Sequence, residues 1–233
     1  MMKEAIENLL PLERDLFFLL NGSESSFLDD WMWTVSGRFV WIPLFVMILF
    51  LFFFRTPRKQ ALLITLFFVL LFVLSDQLSS GICKPFFERF RPTHHPDFRD
   101  LVDIVNGYRG GRYGFISGHA TNSFGLALFL SLLFRHRGVT LAALSWALLN
   151  SYTRIYLGVH FISDIVAGML AGSLLALLLY QLMLLLLKRL SIGLPAPGNN
   201  LYSHQQGNWL TLFILSYLFL LTLFSPLLSA LPH

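Results

Sequence analysis

Apolar runs about as long as a bilayer is thick recur along this chain and constrain its fold more than any other feature. Residues 61–80, ALLITLFFVLLFVLSDQLSS, are typical. Crossing a hydrocarbon core as a helix takes roughly 20 mostly apolar residues. Six windows approach that length, at 36–54, 61–80, 116–134, 139–157, 161–187 and 209–228. The chain is 55% hydrophobic and 13% charged, against about 25% charged in soluble domains. The expectation is an all-α integral membrane bundle of about six transmembrane helices. It forms a single domain over residues 1–233, with 209–228 as an extra C-terminal span.

Residues 3–20 read as an N-terminal amphipathic helix lying in the membrane interface. Ile6, Leu9, Leu10, Phe17 and Leu20 can share one face, with Lys3, Glu4, Glu7 and Arg14 elsewhere. This mixture of acids and bases lacks the clean apolar core of a signal peptide. The segment 188–208, rich in Pro, Gly and polar residues, reads as a loop. The net charge of +4 comes from basic residues in loops between helices, not from one stripe, so no nucleic-acid partner is expected. Cys83, the single cysteine, permits no internal disulfide.

Basic residues of short loops set orientation. Arg55, Arg58 and Lys59 follow the first span, Arg135 and Arg137 the third, and Lys188 and Arg189 the fifth. That places these loops in the cytoplasm. Both termini, the long loop 81–115 and the turn at 158–160 then face outward.

Three polar clusters fall on that outer side: KPFFERFRP (84–92), SGH (117–119) and TRIYLGVHFISD (153–164). Each alone has a plain structural reading. Lys84 and Arg91 among phenylalanines could be interfacial anchors. Ser117 and Gly118 could be a helix cap. Arg154, His160 and Asp164 are harder to set aside, because ionisable groups at membrane depth are costly. His160 and Asp164 are four apart and share a helix face. A carboxylate beside an imidazole fixes its tautomer and raises its basicity. Cations together with N–H groups at a helix start make an anion site, and Arg suits phosphate oxygens. With two histidines beside a phosphorus, one attacks and one protonates the leaving oxygen.

The pattern K-x6-RP, SGH and R-x5-H-x3-D resembles the signature of the type 2 phosphatidic acid phosphatase superfamily, which includes membrane lipid phosphate phosphatases and vanadium haloperoxidases. The motifs span residues 84–164. The resemblance implies hydrolysis of a lipid phosphate monoester or pyrophosphate through a phosphohistidine. It implies His160 as nucleophile, Asp164 as its orienting carboxylate and His119 as general acid. Lys84, Arg91 and Arg154 would clamp the phosphate, helped by Ser117 and the backbone of Gly118. It implies no metal and no cofactor. Two positions depart from the family pattern: Ile116 stands where Pro is usual, and Thr153 where Ser is usual.

The substrates implied are undecaprenyl diphosphate, phosphatidylglycerol phosphate, phosphatidic acid and lipid A phosphates. The expected setting is a bacterial inner membrane with the site facing the periplasm or outside, and the partners are that bilayer and the lipid. Oligomeric state is not legible. Two other classes compete: an intramembrane serine protease using Ser117 and His160, and a lipid-headgroup carrier that binds without hydrolysis. Arg89, Arg99, Arg109 and Arg112 read either as headgroup recruiters or as ordinary interfacial basics. Asp76 reads as a partner for a loop cation or as an interface residue, and Tyr108, Tyr113 and Tyr156 as packing or aromatic-belt residues. His94, His95 and Asp97 lack a standard metal spacing and read as a solvated loop.

Overall fold

The computed structural model describes residues 6–192 and 200–230. The first residues of the expected N-terminal helix and the middle of the 188–208 loop lie outside these. In chain order the helices are α1 (Leu10–Leu20), α2 (Ser26–Ser36), α3 (Ile42–Phe53), α4 (Arg58–Asp76), α5 (Lys84–Phe87), α6 (Gly118–Phe134), α7 (Arg137–Tyr156), α8 (Ile162–Arg189) and α9 (His204–Leu228). No strand occurs among the described residues.

By length and apolarity, three helices could cross a bilayer unaided: Arg58–Phe87, Ile162–Arg189 and His204–Leu228. A fourth is gained if the pair Ser26–Ser36 and Phe39–Phe53, bent by 70°, forms one span. This is fewer than the six windows of the sequence, for local reasons. The first window turns a corner at Gly37 and Arg38, and the sequence reading gave no helix to α2. Helix α6 has only 17 residues. Helix α7 carries Asn150, Ser151, Thr153 and Arg154 in its last turns, which lowers its hydropathy.

Helix α6 is the hub. Most of its residues are buried, and it packs chiefly on α7 and α8. Without a hydrophobic drive between helices in lipid, close backbone approach at small residues does the work. A Cβ at Gly172 would stand 2.0 Å from the Thr121 carbonyl oxygen, and one at Gly168 would stand 2.6 Å from that of Ser117. The outer faces of α4, α8 and α9 are the converse. Leu62, Leu66, Val69 and Val73, then Leu170, Leu174 and Leu178, then Leu212, Phe219 and Leu223 are exposed in rows. Such continuous apolar surface suits acyl chains rather than water.

Helix α4 does not stop near residue 80. A π-helical stretch, Gln77–Cys83, carries it on to Phe87 as one rod of 30 residues. Lys84 therefore rides on a helix rather than on a loop. Wide turns of this kind re-aim the side chains that follow them.

Ile6 and Glu7 are helical, a turn follows at residues 8–9, and helix α1 then runs from Leu10 with Pro11 in its first turn, where a missing N–H is harmless; residues 3–5 of the expected helix lie outside the described residues. Its buried residues are Phe17 and, unexpectedly, Glu13. Leu12, Leu16 and Leu19 point away from the protein.

Candidate active site

All three polar clusters meet at one end of the bundle. The rod containing α4 ends there, α6 begins there, α7 ends there and α8 begins there. A cavity of about 350 Å³ at this end is lined by Lys84, Arg91, Gly118, His119, Arg154 and His160. Asp76, Arg38 and Tyr108 also line it.

Ser117 caps α6, accepting from the Ala120 N–H at 3.4 Å. Its own N–H goes to the Asp164 carbonyl at 3.0 Å, and the residue is fully buried. Its hydroxyl is thus committed to the helix start, behind the cavity wall. Gly118 does face the cavity: a Cβ there would stand 3.8 Å from Lys84 Nζ and 3.1 Å from Ser79 Oγ. N–H groups in the first turn of a helix are unused within it and point at whatever sits before the helix.

His160 lies in the short link between α7 and α8, its N–H bonded to the Arg154 carbonyl at 3.1 Å. Its Nδ1 is 3.2 Å from Asp164 Oδ2, which leaves Nε2 as the nitrogen with no carboxylate partner. The same Oδ2 accepts from the Phe161 N–H at 3.1 Å. Burial, and then the nearby cations Arg91, Arg154 and Lys84, push the His160 imidazole well below the usual histidine pKa. The ring is therefore neutral and available as a nucleophile.

The cations are held in different ways. Arg154 is buried, one guanidinium nitrogen bonded to Ser36 Oγ and another to the Tyr108 hydroxyl at 3.1 Å. Arg91 donates Nε to the Tyr113 carbonyl at 3.0 Å. Burial, and then Arg154, push it down to about 10, so it remains cationic. Its buried Nη1 has no partner among the described residues, nor has Arg154 Nε. Lys84 Nζ donates to Ser80 Oγ at 2.9 Å. Facing donors with spare capacity and clustered positive charge are what a phosphate dianion requires.

Three contributors carry no catalytic or phosphate-clamping role in the sequence reading, which leaves Arg89 as a headgroup recruiter or an interfacial basic and says nothing of Glu13 or Arg38 at the site. Arg89 is 2% exposed and donates to Asp164 Oδ1 at 2.8 Å, to Ser163 Oγ at 2.6 Å and to Glu13 Oε1 at 2.7 Å. Its guanidinium lies 4.5 Å over the Phe161 ring. Burial alone would lower its pKa, but Asp164 and Glu13 outweigh that and hold it above the ordinary arginine value. Glu13 also accepts from Ser163 N–H and Oγ, both at 2.7 Å. A signal for Glu13 existed: it lies three residues after Leu10 and four before Phe17, on the apolar stripe of α1. Arg38, at the 70° corner, adds a further cation to the cavity wall.

Of the His94–His95–Asp97 stretch, Asp97 is exposed as expected of a solvated loop, but His95 is not. His95 is buried and stacks on Phe98 with ring centroids 4.1 Å apart. No group of three His, Cys, Asp or Glu able to hold a metal is gathered among the described residues.

The match to known proteins agrees with this geometry. A family model, described as the PAP2 superfamily, matches residues 62–187. The lipid A 4′-phosphatase of Porphyromonas gingivalis is 42% identical over 92% of this chain and 91% of its own length. That of Bacteroides thetaiotaomicron is 39% identical over 83% of this chain and 86% of its own. The crystal structure of Aquifex aeolicus LpxE superposes with a TM-score of 0.55 at 27% identity, covering 73% of this chain and 95% of that one. With the family model spanning more than half of its length, and the motif residues gathered at one end of the bundle, this chain belongs to the PAP2 superfamily.

Proposed function

We propose that this membrane lipid phosphatase removes the 4′-phosphate of lipid A by way of a phosphohistidine, without a metal. The observation that carries the chemistry is the His160–Asp164 pair opening onto a cavity lined by Lys84, Arg91 and Arg154. The choice of lipid rests on the two lipid A 4′-phosphatases, which are more similar to this chain than the undecaprenyl-diphosphatase of Sulfolobus acidocaldarius, at 30% identity.

In the first step His160 Nε2 attacks phosphorus as the P–O bond to the lipid breaks. His119, at the start of α6, gives its proton to the departing oxygen. In the second step water attacks the phosphohistidine, His119 takes a proton from that water, and phosphate leaves. Asp164 holds the His160 tautomer and steadies its positive charge. Lys84, Arg91 and Arg154 neutralise the phosphoryl oxygens, the part Mg²⁺ plays in other phosphoryl-transfer sites. The N–H groups of Gly118 and His119 add to this, and Ser117 holds the helix start in place.

Neither rival class explains the site as well. A serine protease needs a free hydroxyl, and Ser117 Oγ is turned into its own helix. A headgroup carrier has no use for a buried imidazole–carboxylate pair. The charge distribution supports an outward site in a bacterial inner membrane. Arg55, Arg58, Lys59, Arg135, Arg137, Lys188 and Arg189 all sit at the helix ends opposite the cavity.

The test is phosphate release in detergent with EDTA present. The panel is lipid A, undecaprenyl diphosphate, phosphatidylglycerol phosphate and phosphatidic acid, given to wild type and to His160→Ala. Release from lipid A that the mutant lacks, and that vanadate blocks, is expected. Release from another lipid alone would replace the substrate, and loss of activity with EDTA would overturn the metal-free chemistry.

A further inference from the structure

The phosphate cavity has a neighbour. A second cavity, of about 280 Å³, lies between α3, α4, α6 and α7 and shares Arg38, His119 and Asn122 with the first. His119, Asn122 and Ser123 fall on one face of α6, and Trp146, Asn150 and Arg154 recur every four residues along α7. Two polar stripes therefore leave the reaction centre and run inward along the second cavity.

Polar side chains at this depth need partners. Asn150 Nδ2 has one, donating to Ser123 Oγ at 2.6 Å. Asn150 Oδ1, Trp146 Nε1 and Asn122 Oδ1 are buried without one among the described residues. Asn150 is 6% exposed and Trp146 4%. All three residues line the second cavity. The opposite walls are aromatic, with Trp41 edge-on to Trp146 at 5.4 Å and Phe45 edge-on to Phe72 at 5.5 Å.

The chemistry of the missing partner follows from these atoms. An indole N–H asks for an acceptor, and two amide oxygens ask for donors. A hydroxyl or a secondary amide supplies both. An acyl or prenyl tail supplies neither. Aromatic walls with a few convergent polar atoms also suit a small ring better than a flexible chain.

We propose that the second cavity is a leaving-group subsite, which takes the hydroxyl- or amide-bearing part of the alcohol released from the phosphate. The proposal rests on the phosphatase reading above. His119 stands on the boundary, lining both cavities. The scissile P–O bond crosses there, so its oxygen emerges beside the imidazole that protonates it, and the alcohol is held on the far side until it departs.

The test compares two phosphates in the same detergent micelles. Lipid A carries sugar hydroxyls and acylamido groups beside its phosphate, whereas farnesyl phosphate carries a plain alkyl alcohol. Farnesyl phosphate is followed as a substrate or, where it is not turned over, as a competitive inhibitor. The variants are Trp146→Phe, which removes one N–H and keeps the aromatic wall, and Asn122→Leu. The expected result is that kcat/KM for lipid A, relative to kcat/KM or affinity for farnesyl phosphate, falls about tenfold in each. An equal fall for both compounds means the stripe only supports the fold and overturns the proposal. No change for either means the cavity holds only water and overturns it too, as does wild-type preference for farnesyl phosphate. Wild type releasing phosphate from neither, nor from the other lipids of the panel, would instead sink the phosphatase reading itself.

Discussion

Arg89 donates to one oxygen of the Asp164 carboxylate at 2.8 Å, and the other oxygen lies 3.2 Å from the ring of His160. Glu13 grips the far side of the same guanidinium at 2.7 Å. A line of alternating charge thus runs from α1 through the loop to α8 and ends at the imidazole. Breaking a buried ion pair by removing one partner leaves an uncompensated charge and costs about 3 kcal/mol or more. Arg89→Ala is therefore expected to lower the melting temperature in detergent markedly. Arg89→Lys keeps the charge but loses the forked grip. It is expected to fold, with kcat reduced roughly tenfold and KM little changed, since the phosphate clamp is untouched. Equal loss in kcat and in phosphate affinity would show that Arg89 supports the whole loop rather than the orientation of Asp164.

Gly114 offers a steric test of the same pair. A Cβ there would sit 3.0 Å from Asp164 Oδ2, 3.2 Å from Arg91 Cγ and 3.5 Å from His160 Nδ1. Gly114→Ala must push at least one of these reacting or clamping groups by a few tenths of an ångström. Displacements of about 1 Å can lower rates about a hundredfold. A fall in kcat of roughly tenfold is expected, with thermal stability changed far less. Unaltered turnover would mean that the loop yields instead.

The acid side of the pH profile tests the charge environment of His160. Burial and the cations Arg91, Arg154, Lys84 and Arg89 lower its pKa despite Asp164, so the neutral imidazole, the proposed nucleophile, persists into mild acid. Removing a neighbouring positive charge raises an imidazole pKa. In Arg91→Gln the acid limb of kcat/KM is accordingly expected to move to higher pH, on top of a loss of overall rate. The second ionisation of the substrate phosphate, near about 6, is common to both proteins and does not move. A limb at the same pH in wild type and variant would show that Arg91 does not set the ionisation of His160.

The cavity-lining part of the site was legible because its chemistry is written in short spacings. SGH and R-x5-H-x3-D place His119 and Asp164 in the first turns of helices and His160 in the link just before one, and the helices carry them to one place. The Glu13–Arg89 link was not legible in that way. It joins residues 76 apart in sequence, and both have ordinary surface readings in isolation. Only the position of Glu13 on the apolar face of α1 hinted at burial. Length and apolarity do not recover the six expected spans, for a related reason. Helices that line a polar cavity must carry polar residues, so α7 loses the apolar signature of a span because it supplies Asn150 and Arg154. The 70° corner between α2 and α3 left no sequence mark beyond Gly37, yet it puts Ser36 and Arg38 at the cavity.

The last prediction concerns what holds the two halves of the site together. His119 sits at the start of α6 and Asp164 in the first turn of α8, so the distance between these helices sets the distance between the proposed acid, His119, and the proposed nucleophile, His160. That approach is governed by Gly172, where a Cβ would lie 2.0 Å from Thr121 O and 2.9 Å from Thr121 Cα. Both are backbone atoms, which no rotamer change can move. Gly172→Ala therefore has to part the helices, and overpacking of this kind costs about 2 kcal/mol or more. Gly111, with nothing within 4 Å of its Cβ position, provides the control. Gly172→Ala is expected to lower both the melting temperature and phosphate release, and Gly111→Ala neither. If Gly172→Ala retained wild-type stability, the tight α6–α8 contact would not be what fixes the spacing of His119 and His160.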